Sequence, residues 1–301
     1  MNPRRSLGAQ MRWKAMESQL ILTALPHAGL CNRLRCLASA ARIAQMTGRR
    51  FQLCWRVWPE CGAGFNELFE NDLPQVSWEW VVEHPPDRLY RDAIGDEGRS
   101  VTLLENSLRR NDVEPHIGIE SCGFVAFQDE VVSNWAQEQP QAFQDEMKAW
   151  HQALRPVEQV RQKVDEIVRQ FPARVIGLHI RRTDHRQAKA HSPLAHFTER
   201  IEAAIREDAT SCFFLATDSY ATQESLLSRF GSWQRGGHLL VLHKPYQQYL
   251  TDSSFPARDH VTGMRDALAD LLLLARTTHV IGSYGSTFTW AAGLLGTTWE
   301  H

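Results

Sequence analysis

The stretch VIGLHIRRTD, residues 175–184, decides how the second half of this chain is interpreted. Its apolar residues predict a buried strand, which runs directly into two adjacent arginines, Arg181 and Arg182. Side chains alternate along a strand, so His179 and Arg181 are expected on one face and Arg182 on the other. Asp184 is expected to pair with either arginine. One guanidinium can then face a ligand while the other anchors the loop.

The sequence beyond this stretch alternates short apolar strands with amphipathic helices. Strands are predicted at residues 175–181, 212–218, 238–244 and 279–285, and helices at 194–207, 221–231, 262–276 and 286–296. This alternation is typical of a doubly wound parallel sheet with helices on both faces. In such sheets ligands bind beyond the C-terminal ends of the strands, where this chain carries polar residues.

The first half of the chain begins in the same way. A strand at 19–25, a glycine-containing turn, a helix at 34–48 and a strand at 51–57 form one strand–turn–helix–strand unit, whereas residues 58–115 predict short elements and loops. A length of 301 residues favours about two domains. We therefore expect a disordered tail at 1–17, an N-terminal domain at 18–160 and a C-terminal domain at 161–301.

The composition argues against several classes of protein. A net charge of −2 is not that of a protein with a broad basic face, so no nucleic-acid partner is expected. The six cysteines form no CxxC pair, which fits reduced thiols. No apolar run reaches the ~18 residues of a membrane span, and the N-terminal run is too short for a signal peptide. A cytoplasmic protein is expected, with peripheral membrane contact left open.

A second group of polar residues follows the strand at 279–285. In GSYGST, residues 282–287, glycine permits close approach of the backbone, and Ser286 and Thr287 supply hydroxyls and free amides at a helix start. An arginine fork matches phosphate oxygens. Together these features predict a phosphorylated ligand, most simply a nucleotide. A structural Arg–Asp pair and an ordinary helix cap are the alternatives, and no Walker or GxGxxG motif is present.

Four stretches together resemble the fucosyltransferase superfamily that includes bacterial nodulation and animal core α1,6-fucosyltransferases and protein O-fucosyltransferases. GLHIRRTD matches the HxRRxD motif of that superfamily. FFLATDSYATQESLLSRFG and DLLLLARTTHVIGSYGSTFTWAA are similar to its second and third motifs, and GLCNRLRCLASAARIA is similar to its N-terminal turn and helix. The resemblance implies a GT-B-like α/β fold, with two Rossmann-like domains whose parallel sheets face a central cleft.

The resemblance also implies a donor, GDP-fucose, and a role for each matching residue. Arg181 would contact the β-phosphate and stabilise the leaving diphosphate, and Arg182 and Asp184 would shape the loop. The remaining donor-side residues would be His179 and Asp270 at guanine, Ser286 and Thr287 at phosphate, Asp218 at the end of the second strand, and Gly29 and Asn32 from the N-terminal domain.

An inverting mechanism without a metal ion follows from this assignment. Negative charge develops on the departing diphosphate, and a fixed cation there stabilises the transition state more than the ground state. Many glycosyltransferases use a metal ion held by a DxD motif, but no two aspartates of this chain are two positions apart. Arg181 is therefore expected to supply the positive charge, with no cofactor and no metal.

The base that deprotonates the acceptor does not carry over from the α1,6 branch. That branch has lysine directly after the motif aspartate and glutamate a few residues later, where this chain has His185 and Lys189. Asp184, His185 and His191 are the candidates, and the linkage is open. The expected acceptor is a carbohydrate, for which a bacterial lipid-linked or surface polysaccharide precursor is the preferred hypothesis.

Two other functions remain open at this point. One is a GT-B glycosyltransferase that uses a different nucleotide sugar, since the assignment of guanine to His179 and Asp270 depends on the resemblance. The other is a catalytically inactive protein of the same fold that binds a nucleotide sugar or a glycan. Binding without turnover would distinguish the latter.

Overall fold

The predicted alternation of strands and helices forms two five-stranded sheets in the computed structural model. The structure describes residues 20–94, 100–104, 108–130, 140–183, 186–244 and 258–300. The expected tail at 1–17 lies outside these residues. In the described part of the chain the strands are β1 Ile21–Pro26, β2 Arg50–Leu53, β3 Arg88–Ile94, β4 Ser100–Leu104, β5 His116–Ser121, β6 Val175–Ile180, β7 Cys212–Thr217, β8 Leu239–Val241, β9 His279–Gly282 and β10 Thr298–Glu300.

The helices of the same residues are α1 Leu30–Met46, α2 Phe65–Leu68, α3 Trp78–Glu83, α4 Gln141–Gln152, α5 Glu158–Val168, α6 Arg186–His191, α7 Leu194–Glu207, α8 Tyr220–Phe230, α9 Val261–Leu274 and α10 Thr287–Leu295. The four helices predicted in the second half correspond to α7, α8, α9 and α10. The strands predicted there correspond to β6, β7, β8 and β9. β6, β7 and β9 end earlier than predicted because their last residues belong to the following loop, and β8 is shorter at both ends.

The chain divides into two compact units. Residues 1–56 with 70–155 form the first, and residues 57–69 with 156–301 form the second. The chain thus passes between units at three points, whereas the sequence pattern predicts one boundary near residue 160. Segment 57–69 belongs to the second unit because its backbone is bonded there. The Gly62 N–H donates to the Arg258 carbonyl at 2.5 Å, and the Leu68 carbonyl accepts from Val157 at 2.9 Å.

The first unit contains a sheet of strand order β2-β1-β5-β3-β4. Its strands pair in parallel except β4, which runs antiparallel to β3 and was not predicted. Helix α1 is buried along most of its length because small residues such as Ala40 and Ala41 let it lie close to the sheet. The turn between β1 and α1 lies at the C-terminal end of a central strand.

The second unit contains a fully parallel sheet of strand order β10-β9-β6-β7-β8. β6 and β7 are buried at every position, as expected of strands covered by helices on both faces. From β6 the chain proceeds to β7 and β8 on one side, and it returns to β9 and β10 on the other. The order therefore reverses between β6 and β9, which is where open α/β sheets bind ligands.

Within the described residues, no helix is both long enough and apolar enough to span a bilayer.

Candidate active site

The loop after β6 is joined to the loop after β9 by backbone and hydroxyl contacts. Gly282 of β9 lies opposite His179 of β6 in the register of the parallel pair. The next residue, Ser283, is fully buried, and its Oγ accepts a hydrogen bond from the backbone N–H of Arg181 at 2.9 Å. The same hydroxyl donates to the His179 carbonyl at 3.2 Å. Arg181 is thus held at the point where the strand order reverses.

The carboxylate of Asp218, directly after β7, holds the arginine loop from the other side. One oxygen accepts from the backbone N–H of Arg182 at 2.7 Å, and the other accepts from the hydroxyl of Thr183 at 2.7 Å. The Arg182 guanidinium donates to the Ser192 carbonyl at 2.9 Å, and the Ser192 hydroxyl accepts from the Tyr284 N–H at 2.9 Å. Asp218 and Arg182 therefore fix the loop that follows β6, and contact of Asp218 with a donor stays a prediction.

Helix α10 begins at this same edge of the sheet. Ser286 is its N-cap, and the Ser286 hydroxyl accepts from the Phe288 N–H at 3.3 Å. Thr287, the first residue of the helix, is half-buried. Gly285, with φ of +64°, makes the turn into the helix, a conformation that residues with a Cβ rarely adopt. The amides of the first helical turn carry partial positive charge beside the arginine loop.

His179 is held between the strand and this helix. Its Nδ1 lies 2.8 Å from Oγ1 of Thr289, and its ring stacks on Phe288 with centroids 4.9 Å apart. Gly282 makes this packing possible, since a Cβ there would lie 2.3 Å from side-chain atoms of Thr289. Only 8% of His179 is exposed, so one imidazole edge is committed to the protein. The structure thus brings four predicted residues, His179, Arg181, Ser286 and Thr287, to one edge of the sheet.

Asp270 lies on α9, which packs on β6, β7 and α10. Only 7% of its side chain is exposed, and it forms an ion pair with Lys244, which follows β8. Burial raises the pKa of the Asp270 carboxyl to about 6, and the Lys244 ammonium opposes that shift. Among the described residues, Oδ1 of Asp270 has no hydrogen-bond partner. A buried acceptor of this kind is what an N–H donor of a ligand would satisfy.

Gly29 and Asn32 lie in the first unit, at the turn between β1 and α1. Gly29 is the N-cap of α1, and the Asn32 side chain accepts from the Arg35 guanidinium at 2.9 Å. The guanidinium of Arg33, 1% exposed, donates from Nε to the carbonyl of Ala28 at 2.7 Å. Ala28 has φ of +62°, a conformation that residues with a Cβ rarely adopt. The hydrogen bond from buried Arg33 therefore stabilises a turn with an unfavourable backbone conformation. Contact of Gly29 and Asn32 with a donor stays a prediction.

Two of the three candidate bases, Asp184 and His185, lie outside the described residues. His191, the third, ends α6 with an exposed side chain, and its ring centroid lies 4.7 Å from that of Tyr284. Among the residues that the structure describes, no three His, Cys, Asp or Glu side chains group so as to hold a metal ion.

Several residues of this arrangement were not predicted from the sequence. Ser283 and Thr289 lie after β9. Their position after the first glycine of GSYGST is the sequence feature that could have indicated a role in the site. Ser192 and Lys244 had no local signal, because their partners lie far along the chain or in another element.

Comparison with known proteins gives matches only among solved structures. No family model and no curated protein matches the chain. A structure of the α1,6-fucosyltransferase NodZ soaked with GDP-fucose aligns with a TM-score of 0.60 and 20% identity, covering 92% of this chain and 93% of that one. Another NodZ structure, from Bradyrhizobium, aligns over 92% of this chain and 94% of that one, with a TM-score of 0.59 and 20% identity.

Two more distant proteins align over comparable lengths of this chain. FUT1 of Arabidopsis thaliana, solved with GDP, has a TM-score of 0.56 and 16% identity, covering 96% of this chain and 72% of that one. POFUT1 solved with GDP-fucose has a TM-score of 0.56 and 10% identity, covering 95% of this chain and 98% of that one. The chain has the GT-B-like fold of these fucosyltransferases. The predicted fold class is confirmed, and the resemblance noted in the sequence motifs is confirmed at the level of the fold.

Proposed function

We propose that this protein is a glycosyltransferase that transfers fucose from GDP-fucose to a hydroxyl of a carbohydrate or glycoconjugate, with inversion and without a metal ion. The observation that supports it best is the joining of two loops at one sheet edge. The arginine loop after β6 and the Ser/Thr helix start after β9 are connected through Ser283. This pairing supplies a cation and helix amides where ligands of such sheets bind.

The donor would lie across this edge with its diphosphate toward Arg181, Ser286 and Thr287. Arg181 offers a permanent charge and a planar fork, which suit phosphate oxygens. Thr287 would add a hydroxyl donor, and the amides of the first turn of α10 add partial positive charge. At the guanine end, an ionised Asp270 offers two acceptor oxygens to the two N–H donors of that base. His179, stacked on Phe288, would complete the base pocket.

Transfer would proceed by direct displacement at C1 of fucose. The acceptor oxygen forms a bond to C1 as the bond from C1 to the β-phosphate oxygen breaks, and that electron pair leaves with GDP. Negative charge therefore grows on the diphosphate while the sugar acquires oxocarbenium character. Arg181 stabilises that growing charge more than it stabilises the bound donor, which lowers the barrier. The anchors at Ser283 and Asp218 keep Arg181 in position through the reaction.

The acceptor hydroxyl must lose its proton during or after this displacement. Asp184, His185 and His191 remain the candidate bases, and the acceptor remains a bacterial lipid-linked or surface polysaccharide precursor acted on in the cytoplasm. A base close to neutral pKa would serve best at the pH of the cell.

The experiment that tests this function is a calorimetric titration of the protein with GDP and with UDP in EDTA. We expect GDP to bind, UDP to bind more weakly and EDTA to leave both titrations unchanged. GDP release from GDP-fucose is then measured with a panel of glycan acceptors. Failure to bind GDP, or equal binding of UDP, would overturn the guanine assignment. GDP binding without transfer to any acceptor would favour an inactive binding protein.

A further inference from the structure

Two aspartates of α9, one helical turn apart, are both buried, and each pairs with a lysine from another part of the second unit. Asp266 accepts from Lys163 of α5 at 2.5 Å, and its side chain is only 3% exposed. Asp270, four residues on, pairs with Lys244. The Lys244 side chain is itself only 10% exposed, so both members of the second pair are removed from water. Burying two charges costs several kcal/mol per ion, so a pair in this setting requires close contact or a further role.

In the second pair, Lys244 hydrogen-bonds to only one of the two carboxylate oxygens of Asp270. Lys244 Nζ donates to Oδ2 of Asp270, while Oδ1 has no partner among the described residues. An ionised carboxylate accepts at both oxygens, whereas a protonated one presents one donor and one acceptor. The Watson–Crick edge of guanine presents two neighbouring N–H donors. Only the ionised form of Asp270 therefore matches guanine, and the protonation of this one group decides whether the base is recognised.

We propose that Lys244 is the positioning residue for nucleotide recognition: its ammonium holds the Asp270 carboxylate in place and ionised, so that the carboxylate accepts both N–H donors of guanine. This inference rests on the proposed function, since it assumes that Asp270 faces the base of the donor. Lys244 itself does not touch the base. It acts through Asp270, and it makes the site selective for a base with two adjacent donors.

The charges around Asp270 determine how this selectivity depends on pH. Burial raises the pKa of Asp270 to about 6, Asp266 raises it further, and Lys244 and Lys163 lower it. Removing Lys244 takes away the largest opposing contribution, so the pKa of Asp270 must rise above 6. Besides Lys163, α5 carries Glu158, Arg161, Asp165 and Glu166. The other elements that contact α9 carry Glu67 on α2, His179 on β6 and Cys212 on β7, and α10 has no titratable side chain.

The test is GDP binding measured by calorimetry from pH 5.5 to 8.5 in Lys244→Met and Lys244→Gln. We expect wild-type affinity to fall as the pH drops below about 6 and that of Lys244→Met to fall already near pH 7, by about tenfold or more, with recovery at higher pH. Lys244→Gln keeps a hydrogen-bond donor without the charge, so it should share this shift. Lys244→Arg keeps the charge and should bind nearly as well as wild type.

A second readout is the preference for GDP over IDP, which lacks the 2-amino donor. This preference should shrink in Lys244→Met at neutral pH and should be small in Asp270→Asn at every pH. Lys163→Met removes the neighbouring lysine–aspartate pair, whose lysine is 40% exposed, and is the matched control, with a much smaller effect on both readouts. A merely structural role for Lys244 would lower the thermal stability without moving the pH profile.

The outcomes separate this inference from the proposed function. If wild type does not bind GDP, the proposed function fails. If wild type binds GDP and Asp270→Asn weakens that binding, but neither uncharged variant shifts the pH profile, the role of Lys244 is wrong while the function stands. If Lys244→Met does not fold, Lys244→Gln and Lys244→Arg decide the question, since they keep a polar group at the buried position.

Discussion

Ser283 holds Arg181 across the edge of the second sheet. Its fully buried hydroxyl accepts the backbone N–H of Arg181 at 2.9 Å and donates to the carbonyl of His179, two residues earlier. The backbone position of Arg181 is therefore fixed by the residue that follows the neighbouring strand. In an unattached loop this position would vary. In the proposed function Arg181 is the cation opposite the leaving diphosphate, and such a cation must be held in advance of the reaction. The contact with Ser283 would supply that restraint.

The proposed function predicts that replacing Arg181 with alanine reduces transfer by about 10²–10³-fold, because the variant lacks the charge proposed to stabilise the leaving diphosphate. Arg181→Lys keeps the charge without the bidentate fork and should lose less. Steady-state GDP release from GDP-fucose measures both. Arg206→Ala, which changes an exposed arginine at the end of α7, is the control. Wild-type turnover in Arg181→Ala would exclude the proposed role.

Replacing Asp218 with alanine should release the arginine loop. The carboxylate accepts the backbone N–H of Arg182 and the hydroxyl of Thr183, each at 2.7 Å, and hydrogen bonds to charged groups contribute about 1.5–3 kcal/mol each. We expect faster amide hydrogen exchange in peptides that contain Arg182 and Thr183, together with lower turnover. Thr183→Val, which keeps the bond to Arg182, should change exchange less. Unchanged exchange in Asp218→Ala would show that the loop is held by other contacts.

Replacing Gly282 with alanine should disturb His179 through Thr289. The new Cβ would lie 2.3 Å from Oγ1 and Cγ2 of Thr289, whose hydroxyl is hydrogen-bonded to the imidazole. Overpacking of this kind costs about 1–3 kcal/mol, and here it also moves a residue assigned to the donor. Denaturant unfolding and GDP titration measure the two effects.

A double-mutant cycle tests whether the disturbance passes through Thr289. In a Thr289→Ala background the two atoms at 2.3 Å are gone and only the Cβ of residue 289, at 2.8 Å, still crowds the new methyl group, so Gly282→Ala should cost clearly less than in wild type. Additive costs would mean that the new methyl group acts on the packing of α10 by another route.

The sequence predicts which strand ends meet at this site, but it does not predict the side-chain contacts between distant residues. Arg181 and Ser286 were predictable as neighbours because parallel strands present their C-terminal ends at one edge, whatever separates them along the chain. The contact between His179 and Thr289 joins residues 110 positions apart and depends on how α10 packs on Gly282. No local pattern encodes such a contact, and the same holds for the pairing of Lys244 with Asp270.

In the fold as well, some elements were predictable from a local sequence pattern and others were not. Strands β6, β7 and β9 were predicted because they are buried on both faces and read as continuous apolar runs. β10 at Thr298–Glu300 and β4 at Ser100–Leu104 both lie at sheet edges. Neither was predicted: β10 has three residues, of which one is apolar, and β4 lies in the segment 58–115, where the sequence pattern gave only short elements and loops. Segment 57–69 belongs to the second unit through backbone hydrogen bonds. Such bonds do not depend on residue type, so the sequence does not indicate which unit the segment joins.

The stability of the first unit should fall in mild acid because of His151. This residue of α4 is 1% exposed, its Nδ1 lies 2.7 Å from the Met147 carbonyl, and burial lowers its pKa from 6.5 to about 4. A depressed pKa means that the unfolded chain binds the proton first. The contribution to stability is therefore full above pH 6.5 and is lost as the pH falls toward 4. It is on the order of 3 kcal/mol.

His151→Asn should remove most of this pH dependence, because its amide can donate to the same carbonyl but does not titrate. Urea unfolding at pH 7.5, 5.5 and 4.5, followed by amide exchange in peptides of α4, measures the change in the first unit. His84→Asn replaces an exposed histidine of the same unit and serves as the control. If wild type and His151→Asn lose stability in parallel between pH 7.5 and 4.5, the buried imidazole is not the source of the acid sensitivity.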